Sequence, residues 1–356
     1  MCGIAGIIDL AADRPVDSSI VHRMAAALIH RGPDDDGFLL APGVGFAARR
    51  LSILGVEDGA QPVYNEDRSV AAVFNGELFD DMATRRHLQQ RGHKLRTRCD
   101  TELLPHLYED HGEDFFAQLR GQFAVALFDQ RRGRVLLGRD RFGICPLYWT
   151  VAANDDGRWL LFASEIKALL ASGMVEAQAN LHGLNQLFTF ISIPGPATSF
   201  VGIHYLPPGR FLRVDNAGRD AESHIEEHTF WEIDFPDAGQ EDYETSQPQL
   251  VDQLEQALLN SVTSRLRADV PVAAYLSGGV DSSTIVAMAS QALGRPIPSF
   301  TVRIKAPQFD ESHEALVTAQ HVGVDPVMVD VGPAEVLATY PELIRVAECP
   351  VVDTAC

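Results

Sequence analysis

The sequence predicts a layered α+β domain followed by part of an α/β domain with a parallel sheet. Residues 1–215 hold many short apolar runs of strand length and few long helical patterns, which is typical of packed sheets. After residue 250 the chain alternates between strand, loop and helix, which favours parallel strands covered by helices. The polar, acidic stretch at 216–249 is predicted to be a linker. The predicted domains are therefore 1–215 and 250–356.

The elements of the first domain follow from the spacing of apolar residues. A run of apolar residues at 3–8 is typical of a buried strand, and apolar side chains three or four apart indicate a helix at 18–30. The pair Asn75-Gly76 favours a turn, so the strand that begins at 70 is predicted to end there. The remaining predictions, in chain order, are helices at 77–90 and 101–110 and a hairpin of two strands at 122–129 and 134–139.

In the second domain, a leucine or valine at every fourth position from 250 to 266 places an apolar stripe on a long helix. A buried strand at 272–276 then leads into the loop 277–282, Ser-Gly-Gly-Val-Asp-Ser, which opens a helix. Small residues at such a junction let backbone amides approach an anion, and the helix N-terminus adds positive partial charge. A glycine-rich turn with a serine or aspartate cap is the alternative. Further strands are predicted at 298–304 and 327–331, with a helix between them.

The composition is that of a globular protein without a membrane span. Hydrophobic residues make up 46% and charged residues 22% of the chain, and no apolar run approaches the ~20 residues that cross a bilayer. The net charge of −20 disfavours non-specific contact with nucleic acid or an anionic membrane. The five cysteines are scattered without metal-ligand spacing, which argues against a disulfide framework or a cysteine-based zinc site. A reducing, cytoplasmic location is predicted.

Cys2 directly follows Met1, and removal of Met1 would leave a thiol and a free α-amine on one residue. An α-amine has a reference pKa of about 8 and accepts a proton near neutral pH. The thiolate is the nucleophilic form of cysteine, so one residue would supply both the nucleophile and its base. Taken alone, however, Cys2 is more simply interpreted as a small buried residue.

Five motifs change that interpretation, because they occur together and in order. They are MCGIAGI at 1–7, HRGPD at 30–34, RLSI at 50–53, FNGE at 74–77 and GRDRFG at 138–143. Together they closely resemble the class II glutamine amidotransferases, above all the glutaminase domain of glutamine-hydrolysing asparagine synthetases. The resemblance implies the fold of the N-terminal nucleophile hydrolases, and it continues through 164–169 and 207–209.

The resemblance implies that Cys2 attacks the side-chain amide of glutamine and forms a thioester, which water then hydrolyses. The side chain of Asn75 and the backbone amide of Gly76 would form the oxyanion hole. Donors held in place before the reaction stabilise the tetrahedral oxyanion, commonly by a few kcal/mol each. Glycine at this position also permits a close approach of the backbone.

The same resemblance implies that Arg50 binds the α-carboxylate of glutamine, which suits a planar, bidentate donor. Asp100 would bind the α-ammonium group with help from Glu77. Each residue has a simpler interpretation when taken singly: a surface salt bridge for Arg50, a hairpin turn for Asn75-Gly76 and a helix N-cap for Asp100.

The loop 277–282 resembles the pyrophosphate loop of ATP pyrophosphatases, which cleave ATP to AMP and pyrophosphate. It is not a Walker motif, because it lacks the lysine and the longer spacing. The resemblance implies ATP as cosubstrate with magnesium, for which Asp281 is a candidate contact or alternatively a helix cap, and no prosthetic group. The matching phosphate-loop positions are Ser277, Gly278, Gly279, Asp281 and Ser282, and the positions matching the adenine pocket are Leu276 and Val302.

The sequence departs from this family near its end. Complete relatives continue beyond the position of Cys356 and carry a second glycine loop and a catalytic lysine, whereas the last lysine here is Lys305. Residues 347–353 match the family's Asp-Glu-Pro-x-x-Asp segment poorly. The synthetase domain is therefore expected to be truncated, with apolar sheet surface left exposed and self-association an open question.

Three functions remain open at this stage. The first is an asparagine synthetase-like amidotransferase that takes glutamine, ATP and aspartate. The second keeps the glutaminase but amidates a sugar, peptide or antibiotic carboxylate. The third is a paralogue that only binds glutamine or a partner; the presence of Cys2 and all the glutamine-site residues makes it the weakest.

Overall fold

The computed structural model describes residues 1–11, 13–79, 81–154, 157–217, 219, 221–241 and 243–351. The chain divides into two compact units, Met1–Ile233 with Glu348–Cys356, and Asp234–Ala347. Glu348 belongs to the first unit because its carboxylate accepts hydrogen bonds from the backbone amides of Ile166 at 2.6 Å and Lys167 at 2.5 Å.

The first unit is built on two six-stranded antiparallel sheets. Their strand orders are β10-β8-β9-β1-β3-β2 and β12-β11-β7-β6-β5-β4. The strands are β1 (Gly3–Asp9), β2 (Asp35–Ala41), β3 (Val44–Arg50), β4 (Val63–Tyr64), β5 (Val70–Leu78), β6 (Gly121–Asp129), β7 (Arg134–Arg139), β8 (Tyr148–Asn154), β9 (Gly157–Ala163), β10 (His204–Tyr205), β11 (Arg210–Asp215) and β12 (His224–Thr229).

Side-chain alternation along the strands builds a four-layer core. In β1, Ile4 and Ile8 point into the layer between the sheets, whereas Ala5 and Ile7 point to the outer face. Helices α1 and α5 cover that outer face, and α3 and α4 cover the outer face of the other sheet. The helices of this unit are α1 (Ser18–Ala26), α2 (Asp81–Gln90), α3 (Leu103–His111), α4 (Phe115–Gln118), α5 (Ile166–Ala171) and α6 (Leu181–Phe190), with 3₁₀ helices at Asp100–Glu102 and Gly112–Asp114. This arrangement confirms the predicted layered α+β fold.

Two local features differ from expectation. The turn predicted at Asn75-Gly76 is wrong: both residues lie inside β5, opposite Ala124 and Phe123 of β6. Pairing along a whole neighbouring strand outweighs the weak turn preference of a dipeptide. In addition, β12 lies within the stretch predicted as a linker, and it pairs with β11 along its whole length.

The second unit contains a small parallel sheet in the order β13-β14-β15, as the strand-loop-helix pattern predicted. One row of apolar side chains on β14, from Phe300 to Ile304, is more than one third exposed, with Val302 at 47%. The elements are α7 (Gln247–Arg265), β13 (Ala274–Tyr275), α8 (Val280–Leu293), β14 (Ser299–Ile304), a 3₁₀ helix at Pro307–Phe309, α9 (Ser312–Val322), β15 (Val327–Val331) and α10 (Pro333–Ala347). No helix in the described part of the chain has the length and apolar character needed to cross a membrane.

Candidate active site

A pocket opens in the first unit beside the start of β1. Its wall brings together Cys2, Arg50 and Asp100, which are far apart in the sequence, with Gly76 and Glu77 of β5. The fold explains the convergence, because Gly3 of β1 pairs with Arg49 at the end of β3. Met1 also lines this pocket, beside the predicted nucleophile.

Cys2 is buried and is held by the backbone of Leu51 on both sides of its sulfur. The Leu51 amide donates to Sγ at 3.4 Å, and the thiol lies 3.7 Å from the Leu51 carbonyl oxygen. Burial raises the pKa of the Cys2 thiol, while the Leu51 amide, the N-terminal amine and Arg50 act in the opposite direction. Burial also lowers the pKa of the Met1 amine. A thiol with a raised pKa is protonated near neutral pH and needs a nearby base to react.

Arg31 fixes the backbone of Cys2. Its Nε donates to the Cys2 carbonyl oxygen at 2.8 Å, and its Nη1 donates to Glu165 Oε1 at 2.9 Å. Glu165 is held in turn by His30 Nε2 at 2.9 Å and by Lys167. These contacts join the segments at 30–34 and 164–169 to the residue that carries the thiol.

Arg50 is buried, and its guanidinium is oriented entirely by backbone carbonyls. Nη2 donates to Leu54 at 3.0 Å and to Gly55 at 2.5 Å, and Nη1 donates to Val56 at 3.2 Å. Within the described residues no carboxylate pairs with it. The alternative of a surface salt bridge is therefore wrong, and the buried positive charge remains available to an anionic group in the pocket.

Asp100 is buried at the start of a 3₁₀ helix, and it links that helix to β5. Oδ2 accepts a hydrogen bond from the Leu78 amide at 2.7 Å, and Oδ1 accepts one from the Thr101 amide at 2.9 Å. Burial raises the pKa of Asp100, although these hydrogen bonds oppose the shift. The N-cap of that helix is Cys99 and it makes no side-chain capping bond, so the alternative of a helix N-cap for Asp100 is wrong. The carboxylate instead joins two separate elements at the wall of the pocket.

Asn75 is fully buried, and neither its Nδ2 nor its Oδ1 has a hydrogen-bond partner among the described residues. It lies two positions after Val73, whose side chain is in the layer between the sheets, so Asn75 points toward the sheet that begins at Cys2. Unpaired buried amides cost roughly 1–3 kcal/mol, which a ligand oxygen could recover. At the next position, a Cβ on Gly76 would lie 2.1 Å from the Gln122 carbonyl oxygen, so only glycine fits.

The loop predicted at 277–282 follows β13, but its last three residues, 280–282, form the first turn of α8. Ser277 and Ser282 close it, with their Oγ atoms 3.0 Å apart, and Gly279 is the N-cap of α8. Gly278 has a φ of +86°, and a Cβ there would lie 2.5 Å from the Ala315 amide nitrogen. Leu276 is buried and donates to the carbonyl of Phe300 at 2.9 Å, whereas Val302 is half exposed on the neighbouring strand.

The Asp281 carboxylate lies in the first turn of α8 and is exposed. It makes no capping hydrogen bond, and within the described residues no cation pairs with it. It therefore fits a magnesium ion held mainly by phosphate oxygens, for which one carboxylate is sufficient.

Comparison with known proteins decides the family. A family model described as "Glutamine amidotransferase domain" matches residues 1–231, and one described as "Asparagine synthase" matches residues 253–356. The chain belongs to the glutamine amidotransferase domain family.

Relatives of this amidotransferase chain include two proteins from Bacillus subtilis. Glutamine-hydrolysing asparagine synthetase 1 is 32% identical over 100% of this chain and 54% of its own length, and asparagine synthetase 2 is 32% identical over 98% and 47%. The amidase chry2 of Gibberella zeae is also 32% identical, over 99% of this chain and 54% of its own length. The chain thus spans about half the length of the curated relatives that it matches.

Three residues that line or support the pocket around Cys2 were not singled out from the sequence. Arg31 lies in the motif at 30–34 and Glu165 in the segment 164–169, both of which carried the family resemblance. The sequence therefore indicated these positions without assigning a role to either residue. Gln61 carried no signal: its side-chain amide bonds both the amide and the carbonyl of Phe74, at 2.7 and 3.1 Å, and so supports β5 beside Asn75. Such an interaction depends on a fold that local sequence patterns do not describe.

Proposed function

We propose that the first unit hydrolyses glutamine to glutamate and ammonia, with Cys2 as the nucleophile. The proposal is based on the position of Cys2, Arg50 and Asp100 in the wall of one pocket. The buried guanidinium provides a partner for the α-carboxylate of glutamine, and the carboxylate provides one for its α-ammonium group, with Glu77 on the same wall. A free amino acid is thereby held at both of its charged ends while its side chain reaches the thiol.

Removal of Met1 would have two effects on this site. It would widen a pocket that Met1 lines, and it would free the α-amine of Cys2 beside its own thiol. Burial lowers the pKa of the Met1 amine, and a Cys2 amine near the same place would be desolvated in the same way, which favours the neutral form that accepts the thiol proton. Asn75 Nδ2 and the Gly76 amide would then stabilise the oxyanion of the tetrahedral intermediate.

For the second unit we propose binding of ATP at the loop 277–282. Gly278 lets the loop pass close to α9, and the amides at the start of α8 would provide donors for phosphate, with Asp281 as the contact for magnesium. When bound, magnesium neutralises charge on the phosphate oxygens. Leu276 and Val302 would line the adenine pocket.

The acceptor of the ammonia is proposed to be the side-chain carboxylate of aspartate, activated by ATP as an acyl adenylate. Two relatives carry the name asparagine synthetase, which supports this choice. A relative named as an amidase is also 32% identical to this chain, and it favours a second candidate function in which the acceptor is a different carboxylate. AMP release from ATP and glutamine that requires aspartate would support the first; release that requires another carboxylate would support the second. A cytoplasmic location remains the accompanying proposal.

The decisive experiment for the first unit is glutamate release from glutamine without ATP or aspartate. The wild-type chain is compared with Cys2→Ala and with Cys145→Ala, which removes another buried cysteine outside the pocket. Intact mass establishes whether Met1 is absent. We expect release by wild type and Cys145→Ala and none by Cys2→Ala. Equal release by all three proteins, or no release by wild type lacking Met1, would refute the proposal.

A further inference from the structure

Four side chains outside the glutamine pocket converge on one point of the first unit. They are Glu66 in the β4–β5 connection, His93 after α2, and His106 and Glu109 on α3. One atom from each lies within 4.8 Å of the corresponding atom of every other. His106 is 1% exposed, while each glutamate side chain is 31% exposed, so the cluster is buried on one side and accessible on the other.

The two imidazoles face each other through the same kind of nitrogen. Their Nδ1 atoms are 3.2 Å apart. At this distance the two nitrogens are close enough to bind one metal ion together.

Two carboxylates lie beside this pair of nitrogens. The His106 Nδ1 atom lies 3.4 Å from Glu66 Oε2 and 3.6 Å from Glu109 Oε2. The His93 Nδ1 atom lies 3.7 Å from the other oxygen of Glu66, Oε1, and 3.8 Å from Glu109 Oε2. Ligand atoms about 2.0–2.1 Å from a tetrahedral zinc ion are about 3.3 Å from one another, so these four distances lie within about 0.5 Å of the tetrahedral spacing. Two neutral imidazoles and two carboxylates carry the charge that balances a divalent cation.

Neighbouring groups orient three of the four side chains. His93 Nε2 lies 3.3 Å from Asp110 Oδ1, the carboxylate–histidine arrangement that commonly supports metal ligands. The Asn65 side-chain amide donates to Glu109 Oε1 at 2.9 Å, and the Lys94 backbone amide donates to Glu66 Oε1 at 2.8 Å.

We propose that these four residues form a structural zinc site. Imidazole nitrogen favours zinc over magnesium or calcium, and four protein ligands leave no position for catalysis. The ion would tie the β4–β5 connection to the segment that runs from His93 to Glu109. The proposal is independent of glutamine hydrolysis.

The test uses the full 356-residue chain, in the Cys2→Ala background so that the thiol in the wall of the glutamine pocket cannot bind the metal. After metal is stripped with a chelator and the chelator removed, zinc binding is measured by competition with a chromophoric chelator, with magnesium as comparator. We expect one zinc ion per chain. Free zinc about 100-fold above the dissociation constant should raise the Tm by roughly 5 °C or more.

His93→Gln and Glu66→Gln should each weaken zinc binding at least tenfold, whereas His87→Gln, an exposed histidine of α2, should bind as the parent does. Cobalt(II) provides a readout that needs no variant: a tetrahedral site with nitrogen and oxygen ligands gives strong visible d–d bands without thiolate charge transfer. No binding at micromolar zinc, unchanged binding in His93→Gln, or a thiolate charge-transfer band would each overturn the proposal.

Discussion

Arg31 Nε lies 2.8 Å from the carbonyl oxygen of Cys2, and the same guanidinium also binds Glu165. The predicted nucleophile is thus positioned through its backbone by a side chain that does not line the pocket. A residue of this kind contributes to the rate by orientation, because small displacements of a nucleophile reduce turnover strongly.

Arg31→Gln is therefore expected to lower kcat for glutamine hydrolysis by about tenfold or more, with a much smaller change in KM. Steady-state kinetics, with the rate of Cys2 alkylation as a second readout, measures the effect. Arg23→Gln is the matched control, because Arg23 also donates to backbone carbonyls, those of Ala171 and Ser172, but lies outside the pocket. A loss confined to KM would contradict the positioning role.

Asn75→Ala should separate stability from activity. The variant removes an amide without partners among the described residues, so we expect the free energy of unfolding to change by less than about 1 kcal/mol. The kcat should nevertheless fall about 10²- to 10³-fold, as expected on loss of an oxyanion donor.

The matched variant is Gln61→Ala, which removes a buried amide that is bonded twice to Phe74. It should destabilise the first unit by about 2 kcal/mol or more, because both backbone groups of Phe74 lose their partner. Urea unfolding of the two variants gives the comparison. If Asn75→Ala is as destabilising as Gln61→Ala, Asn75 has a structural role.

Asp100 predicts a pH dependence of glutamine binding. Burial raises the pKa of Asp100 above the usual 3.8. As pH falls through that higher value, the carboxylate is protonated and loses its negative charge. The KM for glutamine should therefore rise at that pH. Asp100→Asn should have a high KM that no longer varies there. Glu102→Gln, on the same 3₁₀ helix but outside the pocket, should keep the wild-type profile. A profile shared by all three proteins would exclude the proposed role.

Cys145 predicts a loss of stability at alkaline pH. Burial and the nearby Asp140 raise the pKa of this thiol from 9.0 to about 12. Above pH 9 the unfolded chain releases a proton that the folded chain keeps, so stability falls with rising pH by up to about 1.4 kcal/mol per unit. The slope measured by urea unfolding should be shallower in Cys145→Ala. Equal slopes would show that the folded thiol titrates normally.

Gly278→Ala should disrupt the loop proposed to bind phosphate. The new Cβ would lie 2.5 Å from the Ala315 amide nitrogen, in a backbone conformation that alanine rarely adopts. We expect weaker ATP binding by calorimetry and a lower Tm. Gly294→Ala, also at positive φ but with no heavy atom within 4 Å, should cost only about 1 kcal/mol and leave ATP binding unchanged. Equal ATP affinity in both variants would argue against the loop as the site.

The interactions of Gln61 and Asn75 show where sequence-based prediction was successful and where it was not. The strands and helices that carry strong periodicity were predicted correctly, because apolar spacing records which face of an element is buried. The turn at Asn75-Gly76 was wrong, because the pairing of β5 with β6 depends on residues about fifty positions away. The support that Gln61 gives to β5 depends equally on that distant packing.

By itself, the sequence determined the layered α+β unit, the strand–loop–helix pattern of the second unit and the identity of Cys2, Arg50, Asn75 and Asp100 as candidates. These depend on local spacing and on ordered motifs, which are properties of the chain alone. Only the tertiary structure decided that Arg31 holds the Cys2 backbone, that the Asn75 amide has no partner among the described residues, and that Glu66, His93, His106 and Glu109 meet at one point. Those relationships arise from packing between segments distant in sequence, because side-chain distances are set by how the sheets and helices fold against one another.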